Sequence, residues 1–386
     1  MQNSVTVSAP TPSPLKNPLD RSPAPAAEFR PSPRALAAAI ASVAAIYVYF
    51  LIFAQFGFLQ GLLASAAESE TRLKLVLSLM GVGGMGSSAV TAWCFRADRA
   101  RVWLAGSFAV AGGAAGLAAQ ADAFWMFGLA AMLTGLGIGG ATVTLAAVVR
   151  QVVGVRHLGL ALGTGTGLAY GFCNLPPVFQ AAPALQAGWA LGAALVGMIA
   201  AAGLELRAPG GGEETPDYSP RGLTTWVVVF LMLVWLDSAA FYVIQHNPVL
   251  QGGTWQGTGR LYANAGLHFG AAVLAGWVLD RGRLGGVVLV AMGLLAAACL
   301  LLNQAQTVPG LVATLYVAGV SLYSTALVFY PARRGRAGVA ALVYAVAGWA
   351  GSAFGIGLVE HSQAVPGWLP VGAGLVTLAA LALRRG

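Results

Sequence analysis

Charge inside a run of apolar residues is costly, so the first residues to weigh are those that carry it there. Asp237 is the one acid well inside such a run, in Trp235-Leu236-Asp237-Ser238-Ala239-Ala240-Phe241-Tyr242. Ser238, Tyr242 and Gln245 follow it at helical spacing i, i+4, i+7 and share a face, with Asp237 at its edge. The next run carries Arg260, Asn264 and His268 at i, i+4, i+8, a polar stripe that ends on a deeply placed histidine. Counted from the connection between the two runs, Asp237 and His268 each lie about ten residues in. At about 1.5 Å per residue both are roughly 15 Å deep, so the spacing lets them face each other. A carboxylate beside an imidazole can pass a proton, because each alters the other's hold on it. The pair can also ligate a transition metal, with His246 as a further candidate ligand beside Asp237 and His268. The competing reading is that Asp237 bonds to a neighbouring hydroxyl and that His268 is a satisfied core residue.

The elements that must position these groups follow from composition. Of the 386 residues, 58% are apolar and 9% are charged. A soluble domain carries about 25% charged residues, so lipid must be the solvent for most of this chain. Twelve apolar stretches approach the length of about 20 residues that crosses a bilayer: roughly 35–63, 73–95, 102–120, 123–149, 158–180, 184–205, 223–246, 259–279, 284–302, 308–330, 337–359 and 365–383. Pro176-Pro177 should end or kink the fifth. Glycine-rich phrases at Gly81–Gly86 and Gly135–Gly140 lie inside apolar runs with no preceding strand. They read as close helix packing rather than as nucleotide loops.

Net charge is +8, and its placement argues against nucleic acid. With a cytoplasmic N-terminus and twelve alternating spans, 18 Lys and Arg fall inside and only Arg72, Lys74 and Arg260 fall outside. That bias fixes the orientation with both termini cytoplasmic. Glu360 and His361 then end the eleventh stretch on the outside, where they read as solvated. Cys94, Cys173 and Cys299 form no C-x-x-C pair, and no disulfide framework is expected. Residues 1–34 hold eight of the 19 prolines and read as a disordered cytoplasmic tail. Residues 207–222, with Gly210-Gly211-Gly212 and Pro216, read as the linker between six-helix bundles at 35–206 and 223–386.

A charged phrase recurs across these two halves. The second stretch ends in Cys94-Phe95-Arg96-Ala97-Asp98-Arg99-Ala100-Arg101, and the eighth ends in Gly276-Trp277-Val278-Leu279-Asp280-Arg281-Gly282-Arg283. Repetition after six helices indicates two similar bundles about a central site. An aspartate at such a helix end can pair with an arginine or accept from the N-terminus of a neighbouring helix. The phrase resembles the loop signature G-x-x-x-D-R-x-G-R of the major facilitator superfamily, through Gly276, Asp280, Arg281 and Arg283 in the second copy. The first copy has Cys94 where the family prefers Gly.

The resemblance implies an all-α polytopic protein of about twelve helices in two pseudo-symmetric bundles, and a secondary transporter rather than an enzyme. It implies a conformational latch at Asp98, Arg99, Asp280 and Arg281. It also implies a central cavity lined by the first, fourth, seventh and tenth helices, which adds weight to Gln55, Asp237 and Tyr323. The candidate substrate or coupling set is therefore Asp237, His268, Gln245, Tyr242, Asn264, Gln55 and Tyr323. No arginine lies deep in any stretch, so an organic anion lacks its usual buried partner. A neutral or cationic small solute fits better, with a transition metal ion as a further option and proton coupling through Asp237. The buried arginine and the Gly-Pro phrase of the family's drug exporters are missing, with Ala131 and Gly163-Thr164-Gly165-Thr166-Gly167 in those regions. The expected partners are the bilayer and the solute, with no cofactor and no nucleic acid, for a monomer in a bacterial inner membrane. The alternative is a non-transporting assembly factor or sensor on the same scaffold.

Overall fold

In the computed structural model, the described residues are 31–65, 70–206, 220–303 and 309–384. The proline-rich tail up to residue 30 and the linker residues 207–219 lie outside them. The described residues are helical throughout, with short turns between.

Twelve membrane helices follow in order. The N-terminal six are α1 Pro33–Ala64, α2 Glu70–Cys94, α3 Ala100–Ala119, α4 Phe124–Val153, α5 Leu158–Cys173 and α6 Pro183–Gly203. The C-terminal six are α7 Pro220–His246, α8 Thr258–Asp280, α9 Leu284–Leu302, α10 Pro309–Arg334, α11 Ala337–Val359 and α12 Trp368–Leu383. Among the described residues nine of these are long and apolar enough to cross a bilayer by themselves. The other three fall short for visible reasons. α5 stops at Cys173 and a separate turn, Pro176–Phe179, completes its depth, so the proline pair does break the helix as expected. α8 is long but carries Arg260, Asn264 and His268. α12 has only 16 residues.

Helix ends follow local chemistry. Ser32 accepts from the Ala35 N–H at 3.1 Å and Pro33 opens α1. Asn247 caps the short connecting helix Pro248–Trp255 by accepting from Val249 and Leu250 N–H. α4 ends at Gly154, whose φ of 73° suits glycine.

Large apolar side chains left exposed by the protein lie along α3, α6, α9 and α12, for example Val102, Ile199, Val290 and Leu375. Lipid covers such faces. The buried core includes the opposite faces of these helices, for example Phe108, Ala190, Leu295 and Leu369, together with the other helices. The glycine-rich phrases serve packing: a Cβ on Gly135 would meet the α2 backbone at Met80 and Gly84.

Two helices depart from α geometry. α1 is π-helical over Tyr49–Gly57 and α11 over Val343–Ala350. Such widened turns often mark functional positions, and both of these border the central cavity.

Candidate functional site

A cavity of about 230 Å³ lies between the two halves. Its walls come from α1, α4, α5, α7, α8, α10 and α11. Asp237 is its one acid and His268 its one histidine, and no Lys or Arg lines it.

α10 organises the polar groups. Tyr316 and Tyr323 are two turns apart and so share a face. The Tyr316 hydroxyl donates to Asp237 Oδ1 at 2.8 Å, and Tyr323 donates to Oδ2. Each carboxylate oxygen thus takes one hydroxyl donor and keeps acceptor capacity toward the cavity. The same helix holds His268. Ser321 gives its single proton to the Val317 carbonyl at 2.9 Å. Its hydroxyl also lies 2.6 Å from His268 Nδ1, so α10 fixes the orientation of the imidazole.

The two halves meet at this network. Tyr170 of α5 stacks on the His268 ring with centroids 4.4 Å apart, and its hydroxyl shares a hydrogen bond with Ser324 at 3.0 Å. Tyr47 of α1 donates to the Ser324 carbonyl at 3.0 Å. Asp237 and His268 line one cavity as their spacing suggests, but no hydrogen bond joins them. Each is held by α10 instead. Among the described residues no three His, Cys, Asp or Glu side chains cluster to hold a metal.

The other sequence candidates divide. Gln55 lines the cavity within the π-helical part of α1. Asn264 does not: its amide donates to the Thr254 carbonyl at 2.7 Å and ties the outer connection to α8. Tyr242 and Gln245 also lie off the cavity wall, and Tyr242 stacks on His246 at 4.0 Å. The stripe on α8 is thus divided among three partners, since Arg260 reaches the Gly310 carbonyl at the start of α10.

Beyond the polar network, at the end of the cavity away from Asp280, Phe56, Phe179, Phe241 and Trp255 form an aromatic cluster with centroid spacings of 5.1–6.1 Å. Two come from each half, and together they roof the cavity. The sequence gives little sign of this roof, because its members come from four separate segments. At the same end of the bundle, Lys74 of α2 forms an ion pair with Glu360, the residue that caps α11. Glu360 is therefore not simply solvated as expected; the two halves meet there and supply its partner.

At the end of the bundle that carries the repeated charged phrase, Asp280 accepts from the backbone N–H groups of Gly159 at 2.6 Å and Leu160 at 2.9 Å. It caps the N-terminus of α5, in the opposite half. Gly159 and Gly276 let α5 and α8 touch backbone to backbone, and a Cβ on either would strike the other's carbonyl oxygen. Arg150 of α4 adds a bond to the Arg333 carbonyl at 3.1 Å. The two copies of the charged phrase are in different situations. Asp98 reaches no farther than Arg96, at 3.3 Å in its own loop, and both are exposed. Arg99 is exposed too. Arg281 folds back over the Trp277 ring and donates to the Trp277 carbonyl at 2.9 Å.

Neither family models nor curated proteins give a match to the sequence. Solved structures do resemble the chain. The human organic anion transporter MFSD10 (TETRAN) is 16% identical with a TM-score of 0.60, covering 90% of this chain and 99% of its own. The proton:xylose symporter XylE bound to 6-bromo-6-deoxy-D-glucose is 14% identical with a TM-score of 0.57, covering 90% and 94%. FucP in its outward conformation is 14% identical with a TM-score of 0.60, covering 91% and 98%. Identities this low speak to architecture only. Twelve helices in this order, meeting around one central cavity, give the chain the fold of the major facilitator superfamily transporters.

Proposed function

We propose that this protein is a secondary transporter that moves a small neutral or cationic solute by alternating access, with Asp237 as the binding or proton-coupling carboxylate. One observation carries the reading: the single acid of the cavity, held by Tyr316 and Tyr323, stands in a chamber bounded by both halves. A lone charge at such depth costs about 2.5–3.5 kcal/mol on the mild insertion scale. Two hydroxyl donors offset part of that cost. A cation or a proton arriving in the cavity offsets the rest, which is what coupling requires.

The ends of the cavity supply the two gates. The Asp280 cap, the α5–α8 contact and the Arg150 bond close the cytoplasmic end. The aromatic roof and the Lys74–Glu360 pair close the outer end. Rocking one half against the other breaks one set while the other holds. Asp98, released from any partner across the interface, is the matching cap for a different state. The positive-inside pattern supports both termini cytoplasmic, and the proposal places the protein as a monomer in a bacterial inner membrane.

The non-transporting alternative requires a filled interface between the halves, and the cavity argues against it. A transition metal ion as substrate requires more ligands than Asp237 and His268. Proteoliposomes with an imposed proton gradient test the reading. Gradient-dependent accumulation of a member of a solute panel, absent from protein-free vesicles, is the expected result. A protein that accumulates and exchanges nothing across neutral, cationic and metal panels is not a transporter of this kind.

A further inference from the structure

The substrate class can be narrowed from the cavity wall, on the assumption that the transporter reading of this site holds. We infer that the cavity takes a small organic monocation with an apolar or aromatic body, bound through its ammonium centre at Asp237.

Three features of the wall point the same way. The first is charge. Asp237 is the only formally charged side chain that lines the cavity, and no Lys or Arg stands near to neutralise it there. An anion would meet a carboxylate with no cation to receive it. A cation supplies what the site lacks.

The second is the state of the polar groups. Most are already engaged with one another or with backbone: Tyr316 and Tyr323 with Asp237, Tyr170 with Ser324, Tyr47 with the Ser324 carbonyl, Ser238 with Ser352, and His268 with Ser321. A polyol needs many unspent donors and acceptors, because each buried hydroxyl left unpaired is costly. Gln55, the Tyr344 hydroxyl and the indole N–H groups of Trp255 and Trp349 have no hydrogen-bond partner among the described residues, and His268 is engaged through Nδ1 alone. So few unspent groups, two of them indole N–H donors, suit a solute with one or two polar atoms rather than a polyol.

The third is the aromatic content. Phe50, Phe56, Phe241, Trp255, Trp349 and Tyr344 present ring surface to the cavity. Aromatic faces attract ammonium cations, and more strongly when water is excluded. They also receive an apolar body. At about 230 Å³ the chamber falls just below the roughly 300–1,000 Å³ of pockets for drug-sized ligands. The occupant is therefore smaller than most drugs.

Three probes of similar size and different charge test the inference on the purified full-length protein: benzyltrimethylammonium, neutral N,N-dimethylbenzamide and anionic benzenesulfonate. Quenching of tryptophan fluorescence and calorimetry read binding, because Trp255 and Trp349 line the chamber. The expected result is binding of the ammonium probe at least tenfold tighter than either of the others. Asp237→Asn should remove that preference, whereas Asp237→Glu should keep much of it. The comparison among probes on the unaltered protein needs no variant, so a misfolded Asp237→Asn does not weaken it. Equal or tighter binding of the amide or the sulfonate overturns the cation assignment, and so does the lack of measurable ammonium binding. Either result leaves the transporter reading standing, since that reading falls only in the proteoliposome assay.

Discussion

Asp237 is legible in the sequence because charge inside an apolar helix has few explanations. Its partners are less so. Tyr316 and Tyr323 are two turns apart on a helix that also bears Ser321 and Ser324, and that polar face is visible once α10 is drawn as a helix. What the spacing does not give is which neighbour the face meets. Depth counting puts Asp237 and His268 level and suggests a pair. Side-chain direction decides otherwise, and both turn to α10. Asn264 shares the stripe with His268 yet serves the outer connection instead. The tyrosine–carboxylate bonds make a testable claim. Hydrogen bonds between membrane helices average about 0.6 kcal/mol, while bonds to charged groups reach about 1.5–3 kcal/mol. In a double-mutant cycle of Tyr323→Phe with Asp237→Asn, measured by equilibrium unfolding in mixed detergent, we expect a coupling of about 1 kcal/mol or more. Additive effects would mean that the hydroxyl does not stabilise the carboxylate.

At the scale of elements, the contact of α5 with α8 joins sequence to conformational change. The repeated charged phrase marks Asp280, and an aspartate at a helix N-terminus is favourable by about 0.3–2 kcal/mol. Here that N-terminus belongs to the other half, so under the proposed rocking motion the bond is lost when that end of the bundle opens. Asp280→Asn keeps one acceptor oxygen and loses the charge. It should shift the equilibrium toward the cytoplasm-open state by about 1–2 kcal/mol, roughly 5–30-fold. Spin-label distances between the cytoplasmic ends of α5 and α8 should lengthen in the variant while the fold is retained; an unchanged distribution would remove the latch. Gly276→Val tests the same contact by steric means. A Cβ there meets the Gly159 carbonyl, so the helices must separate and the cytoplasmic end should open. If the distance between them is unchanged, the glycine contact is not what permits closure. The π-helical turns in α1 and α11 had no signal in the sequence, because a widened turn depends on packing rather than on local propensity.

At the scale of the whole molecule, composition and periodicity carried the architecture. A chain with 9% charged residues cannot make a water-facing surface, and the placement of its arginines is the basis of the proposed orientation. The aromatic roof and the Lys74–Glu360 pair were not legible, since both join residues far apart in sequence that meet only when the halves close. The orientation can be checked with the native cysteines. Cys94 is exposed at the end of α2, whereas Cys173 and Cys299 are buried. A membrane-impermeant maleimide added to intact cells should leave the protein unlabelled, and permeabilised cells should label at Cys94. A Ser362→Cys variant should label from outside without permeabilisation, because Ser362 is exposed beyond the outer end of α11. Labelling of Cys94 in intact cells would reverse the topology and with it the assignment of the two gates.

The role of Asp237 is the point on which transport mechanism, gates and cavity converge. Proteoliposomes containing the unaltered protein or Asp237→Asn should be loaded with the solute identified by panel screening and compared in two modes. One is uphill accumulation driven by a proton gradient, and the other is exchange of solute at equal concentrations. Loss of accumulation with retained exchange is the expected outcome, because the variant can still rock about its cavity but no longer couples to the gradient. Full gradient-driven accumulation by Asp237→Asn would contradict the assignment of this carboxylate as the coupling group.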